Sequence, residues 1–105
     1  MLGKKPTTKL TNPKKIYKHE RVDCAIASNK GAFEVTTRIE DVLKSGIRLF
    51  VSGAQPGQLM KGQRISVRYY RSDGKYQFLS EIKTVVPVSS QFLLEIALPT
   101  KLKKL

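Results

Sequence analysis

"RISVRYYRSDGKYQFLSEIKTVV", Arg64 to Val86, decides the fold. Ile65, Val67 and Tyr69 alternate with polar neighbours, and beyond Asp73-Gly74 the alternation resumes through Tyr76, Phe78, Ser80 and Ile82. Alternation with a period of two belongs to a strand with one face on a core and the other in water. Asp-Gly between two such runs is a strong hairpin signal, because short hairpin turns require the positive φ that these residues tolerate. Two antiparallel strands are expected here, and the rest of the chain reads as their partners.

Outward from this hairpin the pattern recurs. Val22, Cys24 and Ile26 share one face of a first run, Phe33, Val35, Thr37 and Ile39 of a second, and Ile47, Leu49 and Val51 of a third. "SNKGA", Ser28 to Ala32, joins the first two as a tight turn. "SGAQPGQLMKG", Ser52 to Gly62, is the longest irregular stretch, broken by Gly and Pro. "PVSS" leads into a last apolar run, "QFLLEIAL", with Pro87 read as lying between strands, where its missing N–H does no harm. Six strands at spacings of about ten residues predict an all-β fold, a small six-stranded antiparallel β-barrel that closes to remove its edges. The final "TKLKKL" places Leu102 and Leu105 on one side of a short helical turn, which needs tertiary support. Residues 1–15, rich in Lys, Thr and Pro and without periodicity, read as a flexible basic arm, leaving residues 16–105 for the barrel domain.

A chain of 105 residues has room for one core and no second catalytic domain. Its formal charge of +12 favours anionic partners: nucleic acid, nucleotide phosphates, an acidic protein or an anionic membrane surface. The single cysteine, Cys24, has neither a disulfide partner nor metal-ligand companions, which fits a reducing, cytoplasmic compartment. No apolar run approaches the roughly 18 residues of a membrane helix, so any membrane contact is expected to be peripheral. The one histidine, His19, sits in no recognisable nucleophile motif, and the phosphate-loop, dinucleotide, zinc-protease and CxxC patterns are absent. A binding protein without catalysis or cofactor is expected.

Two segments point to what it binds. "KKIYKHERVDC" sets Lys14, Lys15, Lys18 and Arg21 just before the first strand, and "IEDVLKSGIRLF", Ile39 to Phe50, ends a strand at Asp41 and turns at Gly46. A basic strip engages phosphates and stacks on a purine, while a nearby carboxylate accepts N–H donors from a guanine edge. Side by side, they would read a guanine nucleotide.

These segments resemble the PilZ family of bacterial cyclic di-GMP receptor domains, which open with a basic "RxxxR" and continue to "[DN]xSxxG" and an apolar "I/L-R-L" strand. On that resemblance Arg21 is similar to the second arginine, Asp41 to the acid and Gly46, followed by Ile47, Arg48 and Leu49, to the motif glycine. The first arginine falls on Tyr17 and the motif serine on Leu43, with Ser45 out of register. Tyrosine makes no bidentate phosphate contact and leucine no hydrogen bond, so cyclic di-GMP should bind weakly or not at all. The resemblance then implies an adaptor that docks on a protein partner in motility, surface attachment or second-messenger signalling. The second half, "GQRISVRYYRSDGKYQFLSEI" with "LLEIALPTKLKK", also resembles the N-terminal barrel that accompanies PilZ in flagellar brake proteins, which would put the nucleotide motif beyond Leu105. Nucleic-acid binding is the alternative from another class, with Tyr69, Tyr70, Tyr76 and Phe78 as candidate stacking residues.

Overall fold

The structure, a computed structural model, describes residues 16–29, 31–55 and 57–105. Asp73-Gly74 forms the expected hairpin between strands β4 (Arg64–Arg71) and β5 (Gly74–Val88), with Tyr69 opposite Tyr76 and Val67 opposite Phe78. Around it stand β1 (Arg21–Ser28), β2 (Gly31–Leu43), β3 (Gly46–Ser52), β6 (Gln91–Ile96) and the two-residue β7 (Lys103–Lys104). The order β4-β1-β2-β3-β6-β5 is closed by the β4–β5 pairing into a ring of six antiparallel strands, with β7 added on β5.

Two strands are long enough to serve both halves of the ring. The 13 residues of β2 pair with β1 up to Arg38 and with β3 from Ile39. The 15 residues of β5 pair with β4 up to Glu81 and with β6 from Ile82. Each changes partner at an irregularity of register, between Ile39 and Asp41 and between Ile82 and Thr84. An extra residue bends a strand and raises its local twist, and such bends let one strand turn the corner between two packed sheets.

Alternation fills the interior as read. Val22, Cys24 and Ile26 of β1, Ile65 and Val67 of β4 and Ile47, Leu49 and Val51 of β3 are buried. The Tyr69 and Tyr76 rings stack with centroids 5.4 Å apart, and Phe78 lies 6.2 Å from Tyr69. Phe33, Val35 and Thr37 are only half-buried, because this part of β2 is paired with β1 alone. The Thr37 hydroxyl donates to the Phe50 carbonyl at 2.7 Å, one stitch across that seam.

Two local expectations need correction. The C-terminal stretch is no helical turn: Lys103 and Lys104 pair with Gln77 and Tyr76, and Lys104 lies 3.6 Å from the Asp73 carboxylate. A free edge of β5 offers backbone partners that a lone helical turn lacks. Pro87 lies inside β5 rather than between strands, opposite Phe92. It sits one pair in from Val88 and Gln91, at the kind of antiparallel pair that exchanges no hydrogen bond, so its missing N–H costs the ladder nothing.

Cys24 faces Val35 on one side and Val67 on the other. Burial, helped by the charge of Asp23, pushes its thiol pKa up to about 12. The thiolate is the reactive form. The native protein should therefore resist a thiol reagent at mildly alkaline pH and react promptly once urea unfolds it; fast labelling of the folded form would contradict this packing.

Candidate functional site

The lead-in to β1 is built around a charge pair that the alternation turns inward. Glu20 has the parity of Val22 and Cys24, and Arg71 that of Val67 and Tyr69. The Arg71 Nε and Nη2 donate to the two Glu20 carboxylate oxygens at 3.1 and 3.0 Å, a bidentate fork whose side chains are 7% and 14% exposed. The guanidinium lies 4.7 Å from the Tyr69 ring centroid, 5.0 Å from that of Tyr17 and 6.0 Å from that of Tyr76. Burial works against its charge, but the hydrogen bonds and charge of Glu20 prevail and its pKa is raised.

That pair fixes where the predicted binding residues stand. A turn closes from the Glu20 N–H to the Tyr17 carbonyl, with His19 at φ 69°. It is stitched to β2 by His19 N–H to the Ile39 carbonyl at 2.6 Å and Ile39 N–H to the Glu20 carbonyl at 2.8 Å. Arg21 then stands opposite Arg38, and Asp41 follows three residues along β2. Tyr17, Lys18, Arg21 and Asp41 thus share one end of the barrel. Lys14 and Lys15 lie outside the described residues.

The corner itself is occupied by structural contacts. Leu43, half-buried, pairs with Gly46 across the Lys44-Ser45 turn, and the Asp41 Oδ1 accepts the Val42 N–H at 3.0 Å. Lys83 donates to the Ser45 carbonyl at 2.6 Å and lies 3.8 Å from Glu95, which also takes Arg48 Nε at 3.1 Å. Gly46 is buried, and a Cβ there would run into the Ile96 carbonyl oxygen and the Glu95 side chain. Gly46 is required by the packing of β6.

The chain superposes on the Bacillus subtilis inhibitor of motility, MotI/DgrA. The match has a TM-score of 0.63 at 16% identity and covers 86% of this chain and 46% of that one. The chain therefore spans just under half the length of its neighbour. No family model and no curated protein matches the sequence. At this identity the likeness to MotI/DgrA speaks for the fold alone.

Sequence reasoning did not single out Glu20 and Arg71 as a pair; their parity with the core residues of β1 and β4 was the signal. It also passed over Gln63, whose side-chain amide donates to the Ala27 and Gln58 carbonyls and whose oxygen accepts the Met60 N–H, tying the irregular stretch to β1. Of the four aromatics considered for stacking nucleic-acid bases, Tyr69, Tyr76 and Phe78 are buried. Tyr70 is exposed, and its hydroxyl donates to the Asp23 carboxylate at 2.9 Å.

Asp23, on the outer surface of β1, accepts from two hydroxyls. The Thr36 hydroxyl, at 2.7 Å, and then that of Tyr70 hold its carboxyl below the usual range, with Arg21 and Arg68 adding to the effect. A depressed folded-state value gives stability that is present above the unfolded value, 3.8, and lost as pH falls through the folded one. The gap in urea midpoint between wild type and Asp23→Asn should therefore hold at neutral pH and shrink below about pH 4. A gap independent of pH would assign the loss to packing.

Proposed function

We propose that the chain is a PilZ-like regulatory domain of bacterial motility or surface attachment, linked to cyclic di-GMP signalling in the cytoplasm. It acts by docking on a protein partner, without catalysis and without a bound cofactor. The observation that carries this reading is the barrel it shares with the inhibitor of motility over 86% of its length. Among the described residues no helix is long and apolar enough to cross a membrane.

Docking rather than nucleotide binding is supported by what the corner residues already do. Tyr17 lies against Arg71, Leu43 offers no hydrogen bond, and the Gly46 backbone is closed in by Ile96. Each charge-assisted hydrogen bond missing from the site would take away roughly 1.5–3 kcal/mol of affinity. Calorimetric titration of cyclic di-GMP should give no measurable heat at micromolar protein; micromolar affinity lost in Arg21→Ala would overturn this part.

A second reading, that the chain is the barrel that accompanies PilZ in flagellar brake proteins, fits the same match over 46% of the neighbour. The two readings separate in the variant Tyr17→Arg/Leu43→Ser. A PilZ site that has lost its contacts should regain cyclic di-GMP binding, whereas an accompanying barrel should not. Nucleic-acid binding is disfavoured by the burial of three of its four candidate stacking residues.

A further inference from the structure

We propose that the outer face of β1, β4 and β5 is the docking surface, and that it takes an acidic, amphipathic segment of the partner protein. The inference deepens the docking reading above and rests on it. The face has two unlike ends, and their combination names the occupant.

One end is recessed and mostly apolar, with Arg64 and Glu81 the charged residues of its lining. Ala25 stands opposite Ser66, and Ser66 opposite Leu79, so two short side chains lie beside a leucine that is 70% exposed. Leu98, also exposed, comes alongside because the chain after β6 runs back along β5, with Ala97 N–H on the Glu81 carbonyl and the Ser80 hydroxyl on the Ala97 carbonyl. The hollow between them measures about 530 Å³. Leu79 follows Phe78 on a strand whose inward face is already filled, so the core does not explain it.

The other end is cationic. Arg21 and Arg38 are directly opposite one another across β1 and β2, a like-charge pair that destabilises a sheet. Arg68 stands on the next strand, opposite Asp23. Among the described residues none of the three guanidiniums has a carboxylate at ion-pair distance; the Asp23 oxygens take the Thr36 and Tyr70 hydroxyls, and Arg38 reaches the His19 carbonyl at 3.4 Å. Arg21 is four residues from Ala25 along β1, roughly 13 Å from the recess.

A ligand that satisfies both ends carries carboxylates roughly 7–13 Å from an apolar side chain that enters the recess, since Arg68 is two residues from Ser66 and Arg21 four from Ala25. An acidic protein segment does so. A bilayer presents no side chain to a hollow, and nucleic acid presents no apolar anchor to Leu79.

The test is a selection from displayed random peptides of about twelve residues against the full chain, followed by titration of the enriched peptides. Peptides with clustered Asp or Glu beside a large apolar residue are expected, with affinity reduced about tenfold or more by Leu79→Glu and, separately, by Arg21→Glu/Arg68→Glu. Circular dichroism of both variants checks that they fold; should either fail, Leu79→Ser and Arg21→Gln/Arg68→Gln take their place. Enriched peptides without acidic residues, affinity indifferent to both variants, or no enrichment overturns the proposal. So does tighter binding of anionic vesicles or single-stranded RNA through the same residues. Any of these results would remove this face while leaving the cyclic di-GMP titration, and the docking reading it tests, to stand or fall separately.

Discussion

Replacing Arg71 by methionine should lower the unfolding free energy by about 1–3 kcal/mol, because it leaves the half-buried Glu20 carboxylate with the Tyr17 N–H but without its charged partner. At about 4 °C or more per kcal/mol for a domain of this size, the melting temperature falls by about 4 °C or more. Glu20→Met should cost a similar amount by leaving the guanidinium without its anion among Tyr17, Tyr69 and Tyr76. The double replacement distinguishes charge from packing. Two apolar side chains of similar volume often restore most of what either single change removes, since the double change leaves no half-buried charge facing an apolar replacement. Urea unfolding of the four proteins gives the coupling energy; a double variant that simply sums the two losses would show that the fork matters only as filler.

Gly46→Ala should cost about 3 kcal/mol, a large effect for a single methyl group. Its Cβ would meet the Ile96 carbonyl oxygen, a backbone atom on the strand paired with both β3 and β5, so relief requires moving a strand. Gly31→Ala is the control. Its φ of +103° carries conformational strain, yet among the described residues no atom beyond its chain neighbours lies within 4 Å of the added methyl, so the loss should be distinctly smaller. Equal losses at both positions would mean that backbone conformation alone sets the cost and that β6 can yield. The comparison bears on function, because a glycine fixed by packing says nothing about a ligand.

The barrel was legible because its strands obey one rule, and the rule extends further than it was carried. Parity with Val22 and Tyr69 points Glu20 and Arg71 inward as surely as it points Leu79 outward. The exceptions came where the chain leaves simple alternation. Nothing in "DVLKSG" shows that Lys83 and Glu95, some forty and fifty residues later, latch its turn, since that depends on how β5 and β6 return to the corner. Nor does "TKLKKL" announce a strand; the edge of β5 makes it one. For the candidate site, the sequence placed Arg21 and Asp41 in two separated segments, and the pairing of β1 with β2 shows how they come to one end. What Tyr17 touches was out of reach, because its partner Arg71 is fifty-four residues away in sequence.

The two bulged strands carry a consequence for how the domain comes apart. Since β2 and β5 each belong to both halves of the ring, neither half keeps its pairing if the other melts, and loss should proceed as one all-or-none transition without a populated half-barrel. The same sharing makes the domain indivisible to the protein engineer: cut between Ser52 and Arg64, the fragments would each lack strands that the other holds. A topology so dependent on distant partners also has a high contact order, and refolding in milliseconds to seconds is its natural pace.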